Sequence, residues 1–448
     1  MLSYLPTLES HLRGVIAAID DPATPMWPSV VDTRTGRRPE GAEAPRRVYR
    51  LIGAPRGSTL YWDMPLLAAA ERLSELTGDA RYAGAADRYV ESFLDRCVAE
   101  NGLFQWGNHQ YYDVFEKTVV SFHGGVHELR PLTPVWDFFW NQDPERTYAY
   151  IKTMARRHVY DPVTGGFNRH DDGKRGHAFI ESGGILVESL AWLYSRTGDH
   201  ELLDQALRIA SYSYGHRGAS TGLVRNEPDM GRWDAAVSTS EIGVWAQSLL
   251  RAGAWASTPE FTDMAAGAVR SYAVHAFDAG SRRFFGQVRV EDGAPVAPAK
   301  PGYWPRLYAN AWNTDQWPTH DYPMAAAEAC LTLHGLTRDP VFLKAVQDFA
   351  ADALATRPAL AGGWSYAENY GRCLHLLTRA GRELGDAGLL ASARNVAGEA
   401  VDVLFENGLF QGYPGGHAYE SVDGVGYLAL ALLSLESGRE AERPAFGF

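Results

Sequence analysis

Residues 60–98, LYWDMPLLAAAERLSELTGDARYAGAADRYVESFLDRCV, carry the reading that decides the fold. The part that begins Pro65-Leu-Leu-Ala-Ala-Ala is apolar and rich in small residues, and Thr77-Gly78-Asp79 interrupts it. From Arg81 to Val98 apolar residues recur at i, i+3 and i+4 beside a charged stripe. Glycine can end one helix in the left-handed conformation and aspartate can cap the next, so the stretch predicts a tight α-hairpin. The small-residue helix faces inward and the striped helix outward. The same punctuation returns at Asn141-Gln142-Asp143-Pro144, Thr197-Gly198-Asp199, Ser257-Thr258-Pro259, Thr337-Arg338-Asp339-Pro340 and Leu384-Gly385-Asp386, a period of about 60 residues. Inner helices are expected near 60–77, 127–142, 180–197, 239–255, 323–337, 364–384 and 420–437. A first helix near 3–19 is free to pair with the last. Six complete hairpins and a closing pair can form an open solenoid or a closed toroid.

Composition narrows the function classes. The 448 residues hold 42 Lys and Arg against 54 Asp and Glu, a formal charge of −12 with no offsetting basic run. Phosphate binding needs concentrated positive charge, so no nucleic-acid partner is expected. The longest apolar run near the C-terminus, Val425 to Leu435, is far short of the ~20 residues that span a bilayer, and no membrane partner is expected either. Cys97, Cys330 and Cys373 are widely spaced and form no CxxC pair, which predicts buried free thiols. The start Met-Leu-Ser-Tyr-Leu-Pro has no basic segment followed by an apolar one, and a cytoplasmic location is expected. His123 and His127 stand four apart, but Gly124 and Gly125 between them argue for a loop, and no metal is expected. No GxSxG elbow or phosphate-binding loop occurs, and Gly424-Val-Gly426 lacks the strand of a dinucleotide fold, so no cofactor is expected.

Long Gly- and aromatic-rich segments, 99–126, 160–179, 217–238, 279–322 and 406–419, lead into the inner helices. They should form short β-hairpins and gather at one mouth if a ring closes. Asn101-Gly-Leu-Phe-Gln105 returns letter for letter at Asn407-Gly-Leu-Phe-Gln411, which reads as repeat ancestry.

The Thr-Gly-Asp hairpin unit, with Gly-Gly-Trp or Gly-Leu-Phe ahead of inner helices, resembles the six-hairpin glycosidase superfamily of (α/α) toroids over roughly residues 55–438. Within it, Trp106-Gly-Asn-His-Gln-Tyr-Tyr-Asp113, His127-Glu-Leu-Arg-Pro131 and Gly166-Phe-Asn-Arg-His-Asp-Asp172 are similar to bacterial enzymes of uronic-acid glycans, β-glucuronidase-type hydrolases included. The resemblance implies an all-α, single-domain (α/α) toroid of six to seven hairpins over 1–448, and the length of 279–322 gives the expectation of an insertion capping the cleft. It implies carbohydrate chemistry and leaves hydrolases, lyases and sugar 2-epimerases open.

In such a ring the inner-helix N-termini point into the cleft, where their dipoles favour anions. They carry Tyr61 and Asp63, His127 and Glu128, Glu181 and Ser182, Ser240 and Glu241, His320 and Asp321, Tyr366 and Glu368, and Tyr419, Glu420 and Asp423. For each carboxylate alone a helix cap is the simpler reading. The densest motif is Asn168-Arg169-His170-Asp171-Asp172: arginine grips a carboxylate through a bidentate fork, and His170 or Asp171 can move a proton. The leading expectation is a glycoside hydrolase cleaving a uronic-acid-containing oligosaccharide with Asp171 and Glu241 as its carboxylate pair, and Glu128 and Glu368 in reserve. Arg169, His109 and His170 would bind the uronate, and Trp106, Tyr112, Trp233 and Trp317 would stack on sugar rings, with His320, Tyr366 and His417 completing the substrate contacts. A lyase would draw on Tyr112, Tyr366, His170 or His320 to take the proton beside a uronate carboxyl, and a sugar 2-epimerase on His177, His320 and His417.

Overall fold

The computed structural model describes residues 3–39, 57–107, 110–121, 126–129, 132–173, 175, 179–226, 235–297, 306–312, 323–358 and 365–438. Among them lie fourteen α-helices: α1 Leu5–Ala17, α2 Leu60–Thr77, α3 Arg81–Arg96, α4 Trp136–Gln142, α5 Pro144–His158, α6 Ile180–Thr197, α7 His200–Gly215, α8 Thr239–Ala256, α9 Pro259–His275, α10 Pro323–Thr337, α11 Pro340–Ala355, α12 Ala367–Glu383, α13 Ala387–Leu404 and α14 Val425–Ser437. None is long and apolar enough to cross a membrane. The chain divides into two compact units. One draws on Met1–Gly125, Asp137–Pro144 and Pro358–Phe446, the other on Val126–Trp136, Glu145–Arg357 and Gly447–Phe448.

The hairpin connectors follow the chemistry of their letters. Gly78, Gly198 and Gly385 take positive φ, and Ser257 and Arg338 adopt the same conformation without glycine. Asp199, Asp339 and Asp386 accept backbone N–H groups of the following helix, closing donors that would otherwise lack partners. The first helix of a pair is buried nearly all round, as in α6, whose residues Ile180 to Leu193 are all buried. The second buries one stripe: in α3 this is Tyr82, Ala85, Ala86, Tyr89, Val90 and Phe93.

Close packing of the buried helices depends on missing side chains. A Cβ on Gly243 of α8 would stand 2.3 Å from the backbone nitrogen of Ala326 in α10, and one on Gly426 of α14 would stand 2.5 Å from that of Leu66 in α2.

Antiparallel ribbons follow three of the striped helices among the described residues. Val159–Asp161 pairs with Gly166–Phe167 after α5, Phe277–Asp278 with Arg283–Phe284 after α9, and Phe405–Glu406 with Leu409–Phe410 after α13. Single bridges, Val98 to Phe104 and Arg217 to Val224, take their place after α3 and α7. The duplicated Asn-Gly-Leu-Phe-Gln is thus one turn used twice, with Gly102 and Gly408 both at positive φ.

One expected helix is much shorter than its predicted span. The reading over 127–142 is corrected to a helix that begins only at Trp136, while His127–Leu129 is extended and lies against Arg169–Asp171. Pro131 and Pro134 explain the difference, since proline removes a helix donor and forces the residue before it out of the α region. Of the long 279–322 segment, Gln287–Arg289 pairs with Ala236–Ser238 ahead of α8. Phe284 stacks on Phe349 of α11 at 3.9 Å, and Trp312 Nε1 donates to Ala353 O at 2.6 Å. Residues 298–305 and 313–322 lie outside the described residues.

Candidate active site

The densest polar group in the second unit is built on two short extended runs. After α5 the chain makes a ribbon and returns through Gly166–Phe167, and Asn168 N donates to His158 O at 2.7 Å. The following residues meet His127–Leu129 antiparallel: Leu129 N donates to Arg169 O at 2.9 Å, Asp171 N to His127 O at 3.2 Å, and Glu128 faces His170. This register puts three chemically distinct side chains together. The Arg169 guanidinium donates from Nη2 to Glu128 Oε1, and His170 Nε2 lies 3.5 Å from that same oxygen. The Arg169 guanidinium also sits over the Phe179 ring, 4.9 Å from its centre. Its Nε is buried and has no hydrogen-bond partner among the described residues, which leaves a directed donor for an incoming acceptor. The side chains of Arg169 and His170 are 20% and 32% exposed, so the pair is reachable while Glu128, at 11%, lies deeper.

A second layer supports the first. Asp171 Oδ1 accepts the His127 backbone N–H at 2.8 Å and Oδ2 accepts Arg157 Nε at 3.1 Å, so both oxygens are engaged. His127 Nδ1 lies 2.8 Å from His158 Nε2, His127 Nε2 lies 3.1 Å from the Tyr150 hydroxyl, and His158 Nδ1 lies 2.9 Å from Asn168 O. Burial pushes His127 well below the usual histidine range and lowers His158 to about 4, so both rings are neutral near pH 7. Neither His158 nor Tyr150 stood out in the sequence. Their signal was there, because Tyr150, Met154 and His158 occupy one buried stripe of α5 at four-residue spacing.

Other expected residues take structural places. Glu241 completes a capping box on α8: Oε2 accepts Ser238 N at 2.8 Å, Ser238 Oγ accepts Glu241 N at 3.3 Å, and Oε1 accepts Asn226 Nδ2 at 2.8 Å. Its paired role with Asp171 is therefore not favoured, since each carboxylate already holds its neighbours in place. In the other unit Trp106 is buried edge-on to Tyr61 at 5.9 Å, and Tyr112 is buried in the strand Gln110–Asp113, so both pack in a core instead of offering open faces to a sugar. Tyr366 and Glu368 are buried at the start of α12. His417 is half-exposed and pairs with Glu406 at 3.0 Å. His109, His177, Trp233, Trp317 and His320 lie outside the described residues, as do His123 and Asp321. Among the described residues no three His, Cys, Asp or Glu side chains converge as metal donors would.

Solved structures are similar in fold along nearly the whole chain. A family 76 glycoside hydrolase from a bovine Bacteroides thetaiotaomicron strain is similar over 98% of this chain and 78% of its own, with a TM-score of 0.54 and 11% identity. An unsaturated glucuronyl hydrolase from Bacillus sp. GL1, responsible for the degradation of glycosaminoglycan, is similar over 99% of both chains, with a TM-score of 0.51 and 13% identity. The fold is that of the six-hairpin glycosidase-like (α/α) toroid enzymes. At the level of sequence, the family model described as periplasmic pectate lyase matches residues 65–223. A pectate disaccharide-lyase of Dickeya dadantii (strain 3937) is 33% identical over 126 residues, 27% of this chain and 23% of that protein's length. Glu128, Arg169 and His170 all fall inside the stretch that the family model matches.

Proposed function

We propose that this chain is a carbohydrate-active enzyme that breaks the glycosidic bond of a uronate-containing oligosaccharide, and that it does so by β-elimination at the Glu128–Arg169–His170 group. The observation that carries the reading is the partly buried but reachable Arg169, fixed by Glu128 and beside His170, within the stretch similar to a pectate lyase family. In this reading Arg169 binds the substrate carboxylate and draws charge from it, which makes the adjacent C5–H more acidic. His170, oriented by Glu128, takes the C5 proton. The electron pair left behind forms the C4–C5 double bond, the C4–O bond breaks, and the departing oxygen takes up a proton from the imidazolium or from water.

Hydrolysis is the second reading, favoured by the match to the unsaturated glucuronyl hydrolase over 99% of both chains. It needs one protonated and one ionised carboxyl around a water. A screen of uronate oligosaccharides, followed by ultraviolet absorbance of the unsaturated product and by reducing-end release, separates the two. New absorbance with new reducing ends supports elimination, reducing ends alone support hydrolysis, and silence in both directs assays to isomerisation of free sugars. The three cysteines are free and buried, which supports a cytoplasmic location. The matched family's description carries the periplasm, and fractionation of the native host distinguishes the two compartments.

A further inference from the structure

We propose that Tyr150, His127 and His158 form a hydrogen-bond chain with one fixed direction that clamps the segment carrying Arg169 and His170, making His127 and His158 positioning residues for the site proposed above. The inference rests on that site assignment and deepens it.

The proton positions follow from the contacts. Asn168 O can only accept, so His158 Nδ1 carries a hydrogen. A neutral ring has one hydrogen, which leaves His158 Nε2 bare and obliges His127 Nδ1 to donate to it at 2.8 Å. His127 Nε2 is then bare in turn and accepts from the Tyr150 hydroxyl at 3.1 Å. A single arrangement of protons therefore satisfies all three contacts with every group uncharged. Both rings are fully buried, so reversing the chain would set a bare nitrogen against a carbonyl oxygen away from water.

The same two histidines hold the segment by their backbones. His158 O accepts Asn168 N and its ring holds Asn168 O, fixing the peptide groups on both sides of that residue. His127 N and O bond to Asp171 Oδ1 and Asp171 N, fixing the other end. Arg169 and His170 are the two residues between the clamps. The chain ends on a main-chain carbonyl and touches neither functional side chain, which makes its role positioning and not proton transfer to substrate.

The test uses the full chain labelled with 15N-histidine. Imidazole NMR near pH 7 is expected to show His127 and His158 neutral and both protonated at Nδ1; an Nε2–H tautomer or an imidazolium at either ring overturns the proposal. Kinetics on a uronate substrate form the second arm. His158→Gln keeps an acceptor for His127 but loses the bond to Asn168 O, and is expected to lower kcat about tenfold or more with KM changed less than about threefold. His158→Asn, whose amide nitrogen takes the place of Nδ1, is expected to recover part of the loss. A folded His158→Gln enzyme with wild-type kcat overturns the proposal. If the wild-type chain acts on no uronate substrate, the proposed function fails. The clamp is then read from wild-type NMR and from amide exchange at Asn168 and Asp171, which His158→Gln is expected to speed.

Discussion

Asp63 provides a test of the burial argument that is independent of any substrate. It lies in the first turn of α2, fully buried, with Oδ2 accepting Thr59 N at 3.0 Å and the Tyr89 hydroxyl at 2.7 Å. Those bonds favour the ionised form, but desolvation outweighs them and raises the carboxyl from 3.8 to about 7. The folded value is above the unfolded one, which sets the sign. Below about pH 4 both states are protonated and the group contributes nothing. Between about pH 4 and 7 the unfolded chain loses a proton that the folded chain keeps, so stability falls as pH rises, and above about 7 the penalty is constant. A shift of about 3 units corresponds to about 4 kcal/mol. Asp63→Asn keeps an oxygen for both donors and has no proton to lose. The stability of the variant relative to wild type is therefore expected to grow by up to about 4 kcal/mol between about pH 4 and pH 8. Urea unfolding followed by tryptophan fluorescence at several pH values measures that difference. A flat difference across the range would refute the argument that burial keeps Asp63 protonated.

Arg169→Lys keeps the charge but loses the fork, and is expected to raise KM for uronate substrates at least about tenfold, with Arg169→Ala worse; unchanged steady-state kinetics would sink the carboxylate-binding role. Glu241→Gln keeps one acceptor oxygen of the capping box but sets its amide nitrogen against a buried donor, and is expected to keep most activity at a stability cost of about 1–3 kcal/mol, whereas loss beyond about a thousandfold would restore Glu241 to the catalytic pair. Gly243→Ala forces a methyl group against the Ala326 backbone and is expected to cost about 1–3 kcal/mol, while Gly398→Ala in α13, with nothing within 4 Å, is expected to stabilise by about 0.5–1 kcal/mol; thermal melts of the two variants that moved in the same direction would contradict the packing argument.

The hairpin architecture was readable because its determinants are local. A Gly or Asp at a connector acts on the next few backbone groups, and the difference between α3 and α6 is a difference of periodicity within one helix. The late helix start at Trp136 has a local cause too, since Pro131 and Pro134 outweigh the apolar spacing of 127–142. The site was only half readable. Arg169 and His170 were visible as a dense motif, but their contact with Glu128 is made across about forty residues of chain by backbone register, which no spacing rule records. Glu241 illustrates the deeper difficulty. A carboxylate at a helix N-terminus is placed there by the same unpaired N–H groups and dipole whether it caps the helix or meets a substrate, so position alone does not separate the two roles. What separates them is whether an oxygen is left over once the helix is satisfied. Both oxygens of Glu241 are engaged by Ser238 and Asn226, while Arg169 keeps a buried donor in reserve, and that contrast moves the weight of the site from the carboxylate pair to the arginine.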